Sequence, residues 1–464
     1  MEVQMSGMMA VLFWGFLIVY GIIMCALSPK AFTVGSFFRG EDKEGRSAST
    51  WMLTLSIFIS WIFAKSVTNA ANLGAQYGLV GGVAYAVYWL CIPLAGVVIY
   101  RLRRRFGATG LVSFLTEKYG RAAAVAFSAA ILIRLFNEVW SNTAVVGGYY
   151  GESGSRAFVC AALLFTLVTV AYSVRGGLLS SIVTDALQAI VFIAVMIYVV
   201  VAIIPQHSVG SIMTSGEWKL DAGVDLLLVS ALQILSYPFH DPVLTDRGFI
   251  CEEKPMLVAF FVSGILGFLS IVFFSTVGIH ASLIGIAPSG NIPAELAKAT
   301  GTGVTLLMTM VMVFAAGSTL DSTFSSLAKL AGQDIPQMMG HDLGRRSITV
   351  GMVTMVVFAV IGNAPMVAGT DILKATTISG TMVIGLAPVF LLYGVVPATK
   401  LGFHLSFWTG IVLGFAFTLG WIPQSWAIGG GDSALLLGVN LYGLILCTAG
   451  FILPGIFCKK QKDA

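Results

Sequence analysis

The chain has 464 residues, of which 57% are hydrophobic and only 10% charged, against roughly 25% charged in an average soluble domain. A mean hydropathy of +0.91 excludes a water-soluble globule and makes the lipid bilayer the expected solvent. The net charge of +4 gives no ground for a nucleic-acid partner, and the six cysteines form neither a CxxC pair nor a Cys/His cluster that would indicate a disulfide framework or a metal site.

Apolar runs long enough to cross the hydrocarbon core number about thirteen. In chain order they fall near 8–28, 51–76, 80–100, 122–148, 156–174, 179–204, 224–241, 256–281, 303–330, 347–363, 371–396, 403–421 and 436–457. The first lacks a basic flank and is long enough to span, so it reads as a retained helix and not as a signal peptide. Every second connection is rich in basic residues: Lys30 to Arg46, Arg101 to Arg105, Arg175, Arg247 with Lys254, Arg345 with Arg346, Lys400, and Lys459 to Lys462. This alternation predicts a multi-pass protein with its N-terminus outside and its C-terminus in the cytoplasm. The locality expected is the plasma (inner) membrane, with the bilayer and a small solute as partners and a monomer as the working unit.

Two spans carry signs of interruption. The second contains Asn69, Asn72, Gly74, Gln76 and Gly78 in "TNAANLGAQYGLVGG"; the seventh ends in "SYPFHDPVLTDRG", with Pro238 and Pro242 flanking His240 and Asp241. Irregular backbone at membrane depth is tolerated only where protein or a water-filled cavity covers it. Transporters with inverted repeats break the first helix of each five-helix repeat, and spans two and seven are five apart. The competing reading is a close helix contact at the glycines and a simple helix end at the prolines.

Ionisable residues inside spans are costly and mark function or pairing. They are Lys65, Arg134, Glu138, Asp185 and Asp321. Arg134 and Glu138 are four apart and share a helix face, so a structural ion pair is at least as good a reading as substrate binding. Asp321 sits in "FAAGSTLDSTFSSL", where Ala315, Ser318, Ser322 and Ser325 form one face. A hydroxyl-lined helix with one carboxylate suits a small hard cation; tight packing on a neighbour is the alternative. In "RGGLLSSIVTDALQ", Ser181, Asp185 and Gln188 again share a face.

These segments resemble the sodium/solute symporters, the family of the proline, pantothenate, sialic acid, sugar and urea carriers, over about residues 36–335. "GSFFRGEDKEG" is similar to the segment leading into the family's first core helix, and "ATGLVSFLTEKYG" to its cytoplasmic segment. "SVRGGLLSSIVTDALQ" matches best, and "AAGSTLDSTFSSLAKLAGQDI" resembles the sodium-binding helix with its following aspartate, Asp334. The first core helix, "SWIFAKSVTNAANLGAQYG", lacks the glycine-proline-glycine of several members and is nearest the urea carriers, while Lys65 is unusual there.

The resemblance implies an all-α inverted-repeat (5+5) fold of the leucine transporter type. It assigns 51–396 to the core, 8–28 to an extra N-terminal helix and 403–457 to extra C-terminal helices. It implies sodium as coupling ion, with hydroxyls of Ser318 and Thr319, the carbonyl of Ala315, and carbonyls near Ile59 and Ile62 as ligands. A second sodium is implied at Asp185 with Ser318, Asp321 and Ser322. The solute is expected between the two interruptions. Its contacts would come from Lys65, Ser66, Asn69, Asn72 and Gln76, from Asn137 and Glu138, and from Gln233, Ser236 and Tyr237. The activity implied is sodium-coupled symport of an amino acid, carboxylate, urea-like amide or nucleobase by alternating access, and not an enzymatic one. A proton-coupled carrier of the same fold is the rival reading, since a lysine such as Lys65 can replace the ion; a membrane sensor module is a more distant one.

Overall fold

The computed structural model describes residues 7–31, 33–203, 207–286, 290–367 and 380–460. Among them every regular element is a helix, as the hydrocarbon core demands of a single chain that satisfies its own backbone. Among the described residues ten helices are long and apolar enough to cross a membrane, and a bent pair makes an eleventh span. In chain order they begin with α1 (Gly7–Leu27), the bent pair α2 (Thr50–Ser60) and α3 (Ala64–Tyr77), and α4 (Leu79–Phe106). The short α5 (Leu111–Tyr119) leads into α6 (Arg121–Gly148), α7 (Arg156–Gly176) and α8 (Leu178–Ile203). The seventh expected span is not one helix. It consists of α9 (Asp225–Gln233) followed by single turns at Tyr237–His240, Pro242–Thr245 and Asp246–Phe249. After it come α10 (Glu253–Leu283), α11 (Ile292–Thr300), α12 (Thr302–Lys329), α13 (Arg346–Ile361), α14 (Lys400–Thr418) and α15 (Ala434–Lys460). Part of the expected span 371–396 lies outside the described residues.

The second span does break, but not at its glycines. Helix α2 ends at Ser60, α3 starts at Ala64, and the two axes differ by 60°. Phe63 is extended, with φ −66° and ψ 142°. Residues 69–77, expected at the interruption, are continuous helix, and there the close-contact reading holds. A Cβ built on Gly74 would lie 2.2 Å from the Ser275 carbonyl oxygen, and one on Gly278 only 1.7 Å from that of Ala71. Small residues let α3 and α10 bring their backbones together. The seventh span breaks where its prolines placed it. Asp241, extended at φ −109° and ψ 97°, accepts from the Val243 N–H at 3.1 Å and caps the turn that Pro242 opens.

Helix α6 braces both breaks. Asn142 Oδ1 accepts from the Ala64 N–H at 3.3 Å, an orphan donor of the α3 start. One turn earlier Glu138 pairs with Lys65 of α3 at 2.5 Å and with Arg134. Arg134 reaches Asp241 at 2.9 Å, and its guanidinium carbon lies 5.2 Å from the Phe63 ring centre and 5.4 Å from that of Tyr237. Two cations and two carboxylates therefore balance in an almost wholly buried region, which a buried charge network requires.

Candidate functional site

Helices α2, α8 and α12 pack together and bring their polar faces to the break between α2 and α3. Adjacent residues on a helix point about 100° apart, and Ser318 and Thr319 of α12 diverge accordingly. The Thr319 hydroxyl faces the break: Oγ1 is 3.2 Å from the Ser60 carbonyl oxygen and 3.1 Å from that of Ala315. The Ser318 hydroxyl turns the other way, donating to Asp185 Oδ1 and lying 3.4 Å from Ser60 Oγ. Ile59 and Ile62 bracket the break and are wholly buried; the Ile59 carbonyl accepts from the Ile62 N–H at 3.0 Å. Carbonyl and hydroxyl oxygens thus converge, at the end of an interrupted helix, from α2 and α12. A donor set of this chemistry fits a hard monovalent cation.

Next to it the two expected carboxylates share one cluster. Asp185 accepts from Ser56 at 2.6 Å and lies 3.2 Å from both Ser60 Oγ and Ser181 Oγ. Asp321 accepts from Ser181 at 2.8 Å, Tyr172 at 3.0 Å and Thr184 at 3.0 Å. Ser322 bonds Ser60 and Ser181, each at 2.9 Å. A guanidinium enters this cluster: Arg247, fully buried, pairs with Asp185 at 3.1 Å.

On the other side of the break lies a cavity of about 620 Å3. Seven of the ten expected solute contacts line it: Lys65, Ser66, Asn69, Asn72, Gln76, Gln233 and Tyr237. Asn137, Glu138 and Ser236 do not. Glu138 is committed elsewhere, its carboxylate held by Lys65, Arg134 and Asn142, and the Ser236 hydroxyl turns back to the Gln233 carbonyl at 3.4 Å. Lys65 itself is 4% exposed, and its ammonium donates to Glu138 and Ser141. Much of the remaining wall is aromatic. Trp61, Tyr237, Tyr88, Tyr85 and Trp89 touch in sequence around a closed circuit, with ring centres 5.6–6.3 Å apart. Among the described residues the indole N–H groups of Trp61 and Trp89 are buried donors without an acceptor.

The sequence model of the sodium:solute symporter family matches residues 43–245, the stretch that holds the first break, Asp185 and the second break. Human sodium/glucose cotransporter 4 is 26% identical over 187 residues, 39% of this chain and 26% of that protein. A probable urea active transporter 3 of Schizosaccharomyces pombe is 26% identical over 172 residues, 36% of this chain and 26% of that one. The matched stretch therefore spans about a quarter of these relatives. In fold the likeness extends to the whole chain. A Na+-coupled sialic acid symporter, solved in a substrate-bound outward-open state, superposes with a TM-score of 0.74 at 13% identity, covering 97% of this chain and 98% of that one. This establishes the leucine-transporter type of architecture. The family's matched stretch stops at residue 245, short of Arg247 and of the whole of α12.

The residues that the sequence left unmarked fall into two groups. Tyr85, Tyr88 and Trp89 looked like ordinary apolar filling, and Trp61 counted only toward the likeness to the urea carriers, although a tryptophan buried in an apolar span needs an acceptor for its N–H group. Arg247 counted only as one more cytoplasmic charge; its position five residues after Pro242, within the broken span, was the available signal.

Proposed function

We propose that this chain is a secondary active transporter that couples sodium entry to uptake of a small polar organic solute. The observation that carries the reading is the meeting of the Thr319 hydroxyl with the Ser60 and Ala315 carbonyl oxygens at the α2–α3 break, beside a cavity of solute size. Sodium is held there by the Thr319 hydroxyl and the Ala315 carbonyl of α12, with carbonyls of the Ile59–Ile62 turn, and the Ser318 hydroxyl completes the shell by rotating away from Asp185. The solute lies in the cavity against Lys65, Ser66, Asn69, Asn72, Gln76, Gln233 and Tyr237. The likeness to a sialic acid symporter described as Na+-coupled and to sodium/glucose cotransporters supports this reading.

Because Trp61 and Phe63 line the cavity while Ser60 faces Thr319, one short turn connects the two sites. Sodium that orders this turn presents the aromatic wall to the solute, and the coupling works in both directions. The membrane potential contributes roughly 2.3 kcal/mol per inward charge per 100 mV. The cavity also touches Tyr77, Gln424 and Asp432, all at connections that the basic-residue count puts outside, so the site faces outward with the N-terminus outside and the C-terminus in the cytoplasm. Segment 51–396 is the 5+5 core, α1, α14 and α15 are additions, and a monomer suffices. Uptake by proteoliposomes, screened over amino acids, carboxylates, urea-like amides and nucleobases in sodium, in potassium and under a pH gradient, tests the proposal. Uptake that is the same in potassium as in sodium, and follows the pH gradient, would replace it with proton coupling.

A further inference from the structure

We propose that Arg247 is a tethered cation standing where a second coupling sodium would bind, so that this protein moves one sodium per solute. The inference rests on the symport reading above. Its observation is the cage around one nitrogen. Arg247 Nη2 lies 2.8 Å from Ser322 Oγ, 3.1 Å from Asp185 Oδ2, and 3.2 Å from both Ser60 Oγ and Ser181 Oγ. These four oxygens come from α2, α8 and α12, and one of them carries a formal charge. A desolvated monovalent cation asks for the same thing: several oxygens from separate elements and a single carboxylate.

The other two guanidinium nitrogens are also engaged. Nε donates to Ser56 at 2.9 Å and Nη1 to the Val243 carbonyl at 2.5 Å, and the side chain is fully buried. The head group is thus anchored on every side and does not swing out to admit an ion. A guanidinium stays protonated at any working pH, so the place is filled by charge permanently. A sodium in the same cage would sit against that charge with no water between to screen it.

Asp321 does not restore the site. Its carboxylate receives hydroxyl donors from Ser181, Thr184 and Tyr172, and Ser322 Oγ lies 3.3 Å away. Each hydroxyl has one proton to give, and for Ser181 the contact to Asp321 is shorter than that to Asp185, 2.8 against 3.2 Å. Asp185 is therefore matched by Arg247 and Asp321 by hydroxyls, whereas among the described residues no cationic side chain is hydrogen-bonded to the Thr319 hydroxyl at the break. Arg247 follows the break of the seventh span, within Asp246–Phe249, so it travels with the chain and its charge is never released to the cytoplasm. It supplies the attraction of a bound ion without drawing on the gradient.

Radioactive sodium binding to the purified protein tests this without knowledge of the solute. The wild type is expected to bind one sodium per chain. Arg247→Ala opens the cage and is expected to bind a second, which millimolar guanidinium displaces; Arg247→Lys keeps the count at one. Two sodium ions bound by the wild type overturn the inference and leave the symport reading intact. An Arg247→Ala protein that folds, binds one sodium and ignores guanidinium also overturns it. Absence of sodium binding by the wild type brings down the symport reading itself, and this inference with it. Should Arg247→Ala fail to fold, the wild-type count decides.

Discussion

Replacing Thr319 by Val keeps the β-branched shape of the side chain and removes one oxygen. In the structure that oxygen makes a hydrogen bond back to Ala315, four residues earlier, and approaches the Ser60 carbonyl across the break. Back-bonding of this kind is common for Thr in apolar helices and needs no ion. Were it the whole role, Thr319→Val would cost about 1 kcal/mol of stability and leave sodium activation where it was. As a sodium ligand, the hydroxyl contributes an interaction with a full charge, about 1.5–3 kcal/mol, or roughly a tenfold to hundredfold change in affinity. Ser318→Ala added to it removes the second hydroxyl, so the double variant shifts sodium half-saturation at least tenfold, about 1.4 kcal/mol. Two assays read the shift: initial uptake against sodium concentration in proteoliposomes, and the sodium-dependent rise in melting temperature in detergent, which follows mass action. A folded double variant with the sodium half-saturation of the wild type would refute the assignment of Ser318 and Thr319.

Three further outcomes are expected. Glu138→Gln leaves Lys65 and Arg134 with Asp241 as the remaining acid of their network, and unpairing a buried charge costs about 3–5 kcal/mol; the melting temperature falls steeply, and Lys65→Met in the same protein recovers part of it. A small effect of Glu138→Gln alone would mean the network is not sealed from water. Gly278→Ala drives a methyl into the Ala71 carbonyl, an overpacking worth about 1–3 kcal/mol or more, whereas Gly303→Ala meets open space; equal folded yields of the two would contradict the α3–α10 contact. A cysteine in place of Arg105 is expected to react with an impermeant maleimide only after the cells are opened, and one in place of Asp432 in intact cells. The reverse pattern would invert the proposed orientation.

Hydropathy alone located the ten long apolar helices and the bent span, because transfer into lipid depends on summed side-chain polarity and on nothing distant in the chain. The charged residues within spans were equally plain, and so was the pairing of Arg134 with Glu138, since a helix sets the geometry of residues four apart. Pro238 and Pro242 announced the second break by removing backbone donors.

The first break had no such local cause. "SIFISWIFAK" contains neither glycine nor proline, and the helix stops there because Asn142 of α6 meets the orphan Ala64 N–H and Thr319 of α12 meets the Ser60 carbonyl. Those partners lie 78 and 259 residues away in sequence, beyond the reach of any periodic pattern. The destination of Arg247 was hidden for the same reason. A basic residue near a span end serves the positive-inside rule whether its head group reaches the cytoplasm or turns inward. Only the packing of α2, α8 and α12 around Ser60, Ser181, Asp185 and Ser322 supplies enough oxygen to make burial of the guanidinium the lower free energy.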